Sequence, residues 1–353
     1  VARGSKLIII NSEATRLDLV SEMTLRVSQR MKAELLQTML NYIFFNELID
    51  EEFIDKRTLG FQILKKSMKP FSIDKWAEAF WVKPTKIIEF THLYVRAKNP
   101  VIIVNADTIS PAELSLLSNL ALVTGNIARE ASGIIALRRY GNSQGQIDVG
   151  VSSEYLPGQE SIFDSTARRN IEAIWGASLP EDEGLKSNEL IESIQTGKVR
   201  GILAVGSSGD DIDASILQGG QAFTVIVTPI YSEAMSKADV VLPGTTFAET
   251  DGTFTSSEQR VQRLHRAIPA KAGKNTWQIL CELSSRLGYA MQYAEVSEVF
   301  AEMSNVVPFY SGLDFNQIPA GGIKISPCDE HMAFVSSHWL EKMSEAGVRK
   351  KKL

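Results

Sequence analysis

Ala238-Asp239-Val240-Val241-Leu242-Pro243-Gly244, continuing at Phe247-Ala248-Glu249-Thr250-Asp251-Gly252-Thr253-Phe254-Thr255-Ser256-Ser257-Glu258-Gln259-Arg260-Val261-Gln262, is the most specific text in the chain. It opens with a short apolar strand, Asp239 to Leu242, that ends at Pro243. Just upstream the same kind of strand recurs. Ala222 to Thr228 runs into Pro229-Ile230-Tyr231-Ser232, and Val199 to Val205 runs into Gly206-Ser207-Ser208-Gly209-Asp210-Asp211. Further out, Val101-Ile102-Ile103-Val104-Asn105 precedes Ser110-Pro111-Ala112-Glu113, a helix start with a capping serine, a first-turn proline and an early acid. Continuous apolar strands of this kind are buried on both faces, as parallel strands are. Strands alternating with helices predict α/β layers with a mostly parallel sheet. Ligands bind such sheets beyond the carboxyl ends of the strands. Asn11, Asn105, Gly206 to Asp211 and Thr228 therefore mark the expected ligand face.

The beginning of the chain follows the same logic. Lys6-Leu7-Ile8-Ile9-Ile10-Asn11 is an apolar strand with a polar end, and Met23-Thr24-Leu25-Arg26-Val27 alternates as a second strand. Apolar residues at helical spacing predict a helix from Lys32 to Glu47, with Leu35, Leu36, Met39, Leu40, Ile43 and Phe44 on its inner face. Further helices are expected at Gly60 to Leu64, Ile73 to Phe80 and Pro84 to Ala97, the last with proline at its first turn. Trp76, Phe80 and Trp81 read as core packing. The stretch Arg139-Tyr140-Gly141-Asn142-Ser143-Gln144-Gly145-Gln146 is different, being rich in glycine and amides. It reads either as a surface turn or as a loop whose backbone approaches a flat polar ligand.

The bulk numbers bound the function. A chain of 353 residues has room for two domains, and 44% hydrophobic with 22% charged residues is globular. A net charge of −5 lacks the basic footprint of a nucleic-acid binder. No uncharged apolar run reaches the roughly 20 residues needed to span a bilayer, and the start has no signal-peptide apolar region. The expectation is a cytoplasmic protein without direct membrane insertion. The two cysteines, Cys281 and Cys328, are too few for a four-cysteine iron–sulfur site and have no C-x-x-C spacing. Cys281 reads as a buried small hydrophobe within a helix, and Cys328 as a surface thiol. The four histidines do not cluster, and His331 and His338 share spacing by chance. No Ser/His/Asp or Cys/His nucleophile pair is legible, so no catalytic residue and no metal ligand is assigned. Arg349-Lys350-Lys351-Lys352 reads as a solvated basic end.

The 238–262 stretch resembles the "ADVVLP…E.DGTFTN.E.RVQ" signature of the molybdopterin oxidoreductase superfamily. Trp277-Gln278-Ile279-Leu280 and Leu287-Gly288-Tyr289 resemble the "W.I…LG" helix that follows it. Leu120-Ala121-Leu122-Val123-Thr124-Gly125-Asn126-Ile127 is similar to "LALLTGNIG". The amide loop with Asp148-Val149-Gly150 is similar to "GQNNVQGACDMG", and Arg3-Gly4-Ser5-Lys6-Leu7-Ile8 to "RGAKLIVIDPR". The motifs run in family order over roughly residues 1 to 325. The nearest groups are formate dehydrogenase alpha subunits and the large iron–sulfur subunit of complex I.

The resemblance implies two related Rossmann-like α/β domains with mostly parallel sheets, the first incomplete here. Residues 1–96 would be the later part of the first domain, 97–324 the second domain with its pterin-side loops, and 325–353 a tail. It implies a bis-molybdopterin guanine dinucleotide carrying molybdenum or tungsten between the domains. The iron–sulfur clusters and the metal-ligating residue would lie upstream, and a closing barrel domain downstream. Partners would be iron–sulfur and flavin or NAD-type redox subunits, or further segments of the same polypeptide. The implied cofactor-binding positions are Asn11, Gly141, Asn142, Gln144, Gly145, Gly206, Ser207, Thr228, Ser232, Glu249, Gly252, Thr253, Thr255, Glu258, Arg260 and Gln262. Several have a second reading. Glu249 and Glu258 suit helix capping or loop bracing as well as cofactor contact, and Arg260 suits an ion pair with Glu258 or Asp251 as well as a phosphate clamp.

The departures from the family are concentrated. Its Asp-Pro-Arg, whose acid holds a guanine, is here Asn11-Ser12-Glu13. Its "PGTD" turn is Ser28-Gln29-Arg30-Met31-Lys32, its "G.G.TQH" loop is Asn105-Ala106-Asp107-Thr108-Ile109-Ser110, and its "G.NP" loop is Gly206-Ser207-Ser208. Ser232-Glu233 replaces "TET" and keeps the hydroxyl. Four altered ligand-facing loops favour a redox-complex subunit whose fold serves as scaffold. The alternatives are the cofactor-embracing half of an active dehydrogenase, in which the cofactor carries the chemistry, and a non-redox nucleotide-binding or interaction module.

Overall fold

The structure is a computed structural model, and it describes residues 4–68, 72–129, 131–206, 222–325 and 332–333. Two compact units emerge, one of residues 1–138 with 327–353, the other of residues 139–326.

In the first unit β1 (Ile8–Asn11) lies parallel to β2 (Met23–Arg26), with Ile8 opposite Met23 and Asn11 opposite Arg26. A run of helices follows: α1 (Lys32–Phe45), α2 (Glu51–Arg57), then the two-residue β3 (Thr58–Leu59), α3 (Phe61–Ser67), α4 (Ile73–Phe80) and α5 (Pro84–Val95). Then β4 (Val101–Asn105) pairs in parallel with β5 (Gly133–Leu137), the two joined through α6 (Pro111–Val123). The caps explain where these helices begin. Ser110 accepts from the Glu113 N–H at 3.2 Å while the Glu113 carboxylate accepts from the Ser110 N–H at 2.8 Å, which satisfies two otherwise orphaned donors. Asp50 does the same service for Phe53 at 2.9 Å.

Leu35, Leu40 and Ile43 of α1, Ile87 of α5, and Leu120 and Val123 of α6 are all at most 1% exposed and belong to one core. Each such side chain contributes about 1.5–3 kcal/mol on burial. That shared core is why residues 101–137, assigned from sequence to the second domain, belong to the first compact unit, with the division after Arg138 and not at residue 96. The aromatic cluster needs a further correction. Phe80 is buried, but Trp76 is 36% exposed and Trp81 is 96% exposed. Trp81 occupies the left-handed cap that ends α4, at φ 56°, and is not part of the core.

The second unit begins with a surprise. The amide stretch expected as a loop forms a short helix, α7 (Ser143–Asp148). A two-residue pair, β6 (Tyr155–Leu156) with β7 (Glu160–Ser161), and the helices α8 (Ser165–Trp175) and α9 (Ser187–Gln195) lead into a parallel sheet. Its strands are β8 (Gly201–Val205), β9 (Phe223–Thr228) and β10 (Val240–Pro243), with β9 in the centre. The signature text then turns back on itself. β11 (Gly252–Thr255) and β12 (Arg260–Leu264) form an antiparallel hairpin, and α10 (Thr276–Arg286) and α11 (Val296–Val306) follow. β13 (Ile323–Lys324) joins the far edge of β12. β14 (Met332–Ala333) belongs to the first unit, where it pairs in parallel with β3. Val261, Phe300, Val307, Tyr310 and Phe315 form the core beneath the hairpin. The α/β class with small, mostly parallel sheets is what the strand–helix alternation implies.

Cys281 sits in α10 half-buried instead of fully buried, since no residue of that helix is buried, and partial burial pushes its thiol up. Cys328, His331, His338 and the basic end lie outside the described residues. Among the described residues no group of His, Cys, Asp and Glu could hold a metal ion. No helix among them is long and apolar enough to cross a membrane.

Candidate functional site

The retained residues of the amide stretch and the hairpin converge in the second unit. The Thr255 N–H donates to Asn142 Oδ1 at 2.9 Å, linking the start of α7 to the end of β11 across 113 positions of sequence. Gly145 makes the approach possible. A Cβ there would collide with the Asn142 amide oxygen and crowd Thr255 Oγ1 at 3.3 Å. Gly141 packs its open side on the Phe254 ring.

Below this contact lies a buried polar knot. Asp148 is 1% exposed, and its carboxyl accepts from Gln144 Nε2 at 2.8 Å, Gln159 Nε2 at 3.0 Å and the Tyr310 hydroxyl at 3.1 Å. Thr255 Oγ1 stands 2.6 Å from the same Tyr310 hydroxyl. Since that hydroxyl spends its proton on Asp148, Thr255 is the donor to it. Burial, with the Asp148 carboxyl beside it, holds the Tyr310 phenol well above its ordinary pKa, so it remains a donor.

Glu249 is used up in the same manner. Its carboxylate is 6% exposed and accepts from the Lys271 N–H at 3.0 Å, the Thr246 N–H at 2.9 Å and the Thr246 hydroxyl at 2.8 Å. Those hydrogen bonds, from Lys271 first and Thr246 next, lower its pKa to about 2. Glu258 lies in the hairpin turn and Arg260 opens β12. Arg260 Nε is 3.4 Å from Glu258 Oε1, and Nη1 donates to the carbonyls of Gly321 at 3.3 Å and Gly322 at 3.5 Å. Of the two readings of each of these residues, the contacts seen are the bracing ones.

The remaining positions are dispersed. Gly252, Thr253 and Gln262 lie on the hairpin, with Phe254 opposite Gln262 and Thr253 opposite Arg263. The Gly206 N–H donates to the Val227 carbonyl, which fixes the exit of β8 against β9. Thr228 is buried at the end of β9, its hydroxyl donating to the Ile230 carbonyl at 3.2 Å. Ser232 precedes a single 3-10 turn and makes no capping bond. Ser207 lies outside the described residues. Asn11 ends β1 in the other unit, and its Oδ1 accepts from the Ser12 N–H at 2.9 Å.

Sequence reasoning missed Tyr310, Gln159, Thr246 and Lys271 as members of these networks. In the sequence Asp148 stands out only as part of the Asp148-Val149-Gly150 motif. Its position four residues after Gln144 was the available signal, because i and i+4 side chains meet on a helix. Tyr310 lies 162 positions from Asp148 and gave no signal.

These contacts bear on whether the chain suits a pterin guanine dinucleotide. A guanine edge offers N–H donors, and where the family has a carboxylate with two acceptor oxygens Asn11 has one, which already accepts from the Ser12 N–H at 2.9 Å, beside an NH₂ donor. In the second unit the polar groups of Asn142, Gln144, Thr255 and Glu249 point into protein contacts. Among the described residues, Asn142, Gln144, Thr255 and Glu249 leave no buried polar atom awaiting a partner, whereas Asn126 Nδ2 of the 120–127 motif and Ser256 Oγ of the hairpin are buried without one.

Comparison with known proteins places this architecture. The family model for molybdopterin oxidoreductase matches residues 13–286. The chain is 31% identical over 338 residues to F420-dependent formate dehydrogenase 2 subunit alpha of Methanococcus maripaludis, covering 92% of this chain and 49% of that protein. It is 27% identical over 336 residues to formate dehydrogenase H of Escherichia coli, covering 92% and 47%. Among solved structures, acetylene hydratase from Pelobacter acetylenicus superposes with a TM-score of 0.67 at 16% identity, covering 96% of this chain and 52% of that one. At that identity the likeness is one of fold. The chain spans about half the length of these relatives. With its signature text, its fold and a family match across most of its length, the chain belongs to the molybdopterin oxidoreductase family.

Proposed function

We propose that this chain is a subunit, or part of one, in a formate-dehydrogenase-like redox complex, and that its molybdopterin fold serves there as scaffold. The observation that carries the reading is the inward turn of the family's polar residues. Asn142, Gln144, Thr255 and Glu249 are spent on Thr255, Asp148, Tyr310, Thr246 and Lys271, and the guanine-holding acid is Asn11. Membership of the family implies a molybdopterin with molybdenum or tungsten as the ancestral cofactor, and we derive no step through it here. Redox partner subunits fit the alpha-subunit names of the relatives. The absence of a basic excess fits protein partners and not nucleic acid, and we place the complex in the cytoplasm.

A second reading has one observation in its favour. Relatives at 31% identity are formate dehydrogenase alpha subunits, so this chain would be the cofactor-embracing part of an active enzyme. Calorimetry with guanosine nucleotides separates the two. Losing a charge-assisted hydrogen bond costs about 1.5–3 kcal/mol, or about tenfold to a hundredfold in affinity. The scaffold reading expects no binding at micromolar concentration and no rescue by Asn11→Asp alone, since three other loops are altered. Tight binding that Asn11→Leu abolishes would establish the active reading in its place.

A further inference from the structure

Trp81 projects from the first unit with no part in its core. It is 96% exposed, and its backbone sits in the left-handed region at φ 56° and ψ 33°, which is costly for a residue with a Cβ. The position is nonetheless firmly held. The Trp81 N–H donates to the Glu78 carbonyl at 3.1 Å and closes α4, Val82 donates to the Ala77 carbonyl at 3.0 Å, and Lys83 is already the N-cap position of α5. The indole is thus a fixed knob on the corner between two helices, with exposed Lys75 and Lys83 near it in sequence. Residues 61–98 around this corner carry eight Lys and Arg against three Asp and Glu, in a chain whose net charge is −5.

The second unit holds a cleft of about 250 Å³ with the complementary character. Ala167, Ile171 and Ile174 line it from one face of α8, at the three- and four-residue spacing that aligns side chains on a helix. Pro157 and Pro308 add flat apolar walls, and Ile171 and Val306, at most 8% exposed, belong to the packed interior behind them. The charged groups lining it are carboxylates alone, Glu160 and Asp164. Asp164 accepts from the Ala167 N–H at 3.0 Å and the Thr166 N–H at 2.8 Å, which holds its carboxyl below the usual range and keeps it charged. Residues 154–192, which contain α8 and both acids, carry nine Asp and Glu against three Lys and Arg. An apolar cavity of about 150 Å³ takes a benzene ring, so this cleft has room for an indole. We infer that Trp81 of one copy of this chain inserts into the α8 cleft of a second copy, basic corner against acidic rim. An exposed apolar side chain and a complementary pocket elsewhere on the same molecule make a heterologous contact between copies. Tryptophan suits the anchor of such a contact, being large, rigid and amphipathic, and the opposed charge excesses steer the encounter. A small apolar ligand would fill the cleft but would leave Trp81 in water and the acidic rim unmatched. The inference rests on neither reading of function.

Sedimentation velocity of the full chain, up to tens of micromolar, tests it. The chain should self-associate, and more weakly as salt rises. Trp81→Ala should weaken that association about thirtyfold or more. Ala167→Trp, which fills the cleft, should weaken it as much. At concentrations where the unmodified chain pairs, neither variant should do so alone. An equimolar mixture of the two should form a one-to-one pair, since one keeps the cleft and the other keeps the indole. Ile174→Lys, at a rim position 43% exposed, replaces Ala167→Trp in the same mixture if circular dichroism shows the filled cleft to unfold. A chain monomeric throughout overturns the inference and leaves the cleft to a different protein or a small ligand. Self-association that Trp81→Ala leaves unchanged overturns it too, as does a mixture in which the two variants stay apart.

Discussion

Tyr310→Phe removes one oxygen from the centre of the second unit and leaves the ring, which stacks on Phe300 at 6.4 Å between centroids, in place. The volume is conserved, so no cavity term enters, and the whole effect falls on the hydroxyl. That hydroxyl donates to Asp148 Oδ2 at 3.1 Å and accepts from Thr255 at 2.6 Å in a site where all three residues are at most 2% exposed. Losing a donor to a buried carboxyl costs about 1.5–3 kcal/mol, and Thr255 loses its acceptor as well. The expected destabilisation is about 2–3 kcal/mol, which lowers the midpoint of this unit by roughly 4–12 °C. Thermal unfolding followed by near-UV circular dichroism measures it. A cycle with Asp148→Asn should show coupling of about 1 kcal/mol or more between the two positions. A change within about 0.5 kcal/mol, the range of ordinary surface substitutions, would refute the claim that this knot holds the unit together.

Four further outcomes are expected. Gly145→Ala should destabilise the second unit by about 1–3 kcal/mol, because its Cβ meets the Asn142 amide. Asn142→Ala should lose the Thr255 contact and, in the double variant, absorb much of the Gly145→Ala cost, as denaturant melts of the four proteins would show. Glu249 has a folded-state pKa of about 2 against an ordinary 4.5. Its stabilisation is therefore complete above about pH 4.5 and is lost as pH falls toward 2, and Glu249→Gln should flatten that part of the stability–pH curve. Guanosine nucleotides should give no calorimetric signal with the chain or with Asn11→Asp.

How much of this was legible follows from the range of the interactions. Apolar runs such as Val101–Val104 and the Ser110-Pro111-Glu113 start are local, and they produced β4 over the expected residues and the start of α6 with the expected cap. The hairpin of β11 and β12 has no local signal for its conformation, because Val261 packs in one core with Phe300 and Tyr310, which are distant in sequence. The amide stretch read as a loop because glycine and amides favour turns. Its helix depends on Asn142 and Gln144 reaching Thr255 and Asp148. Glu249 was legible to the extent that loop bracing was one of its two readings, but Lys271 as its partner was not. Trp81 was placed in the core from its neighbours, and only the left-handed cap at the end of α4 shows why it is solvent-facing.

The central claim is that the family's retained polar residues in this chain hold protein and not cofactor. The most direct measurement is elemental and pterin analysis of the protein isolated from cells supplied with molybdate and tungstate, in whatever assembly it occupies there. The scaffold account predicts sub-stoichiometric molybdenum and tungsten and no pterin fluorescence after oxidation. Stoichiometric metal with a pterin assigned to this chain would contradict it.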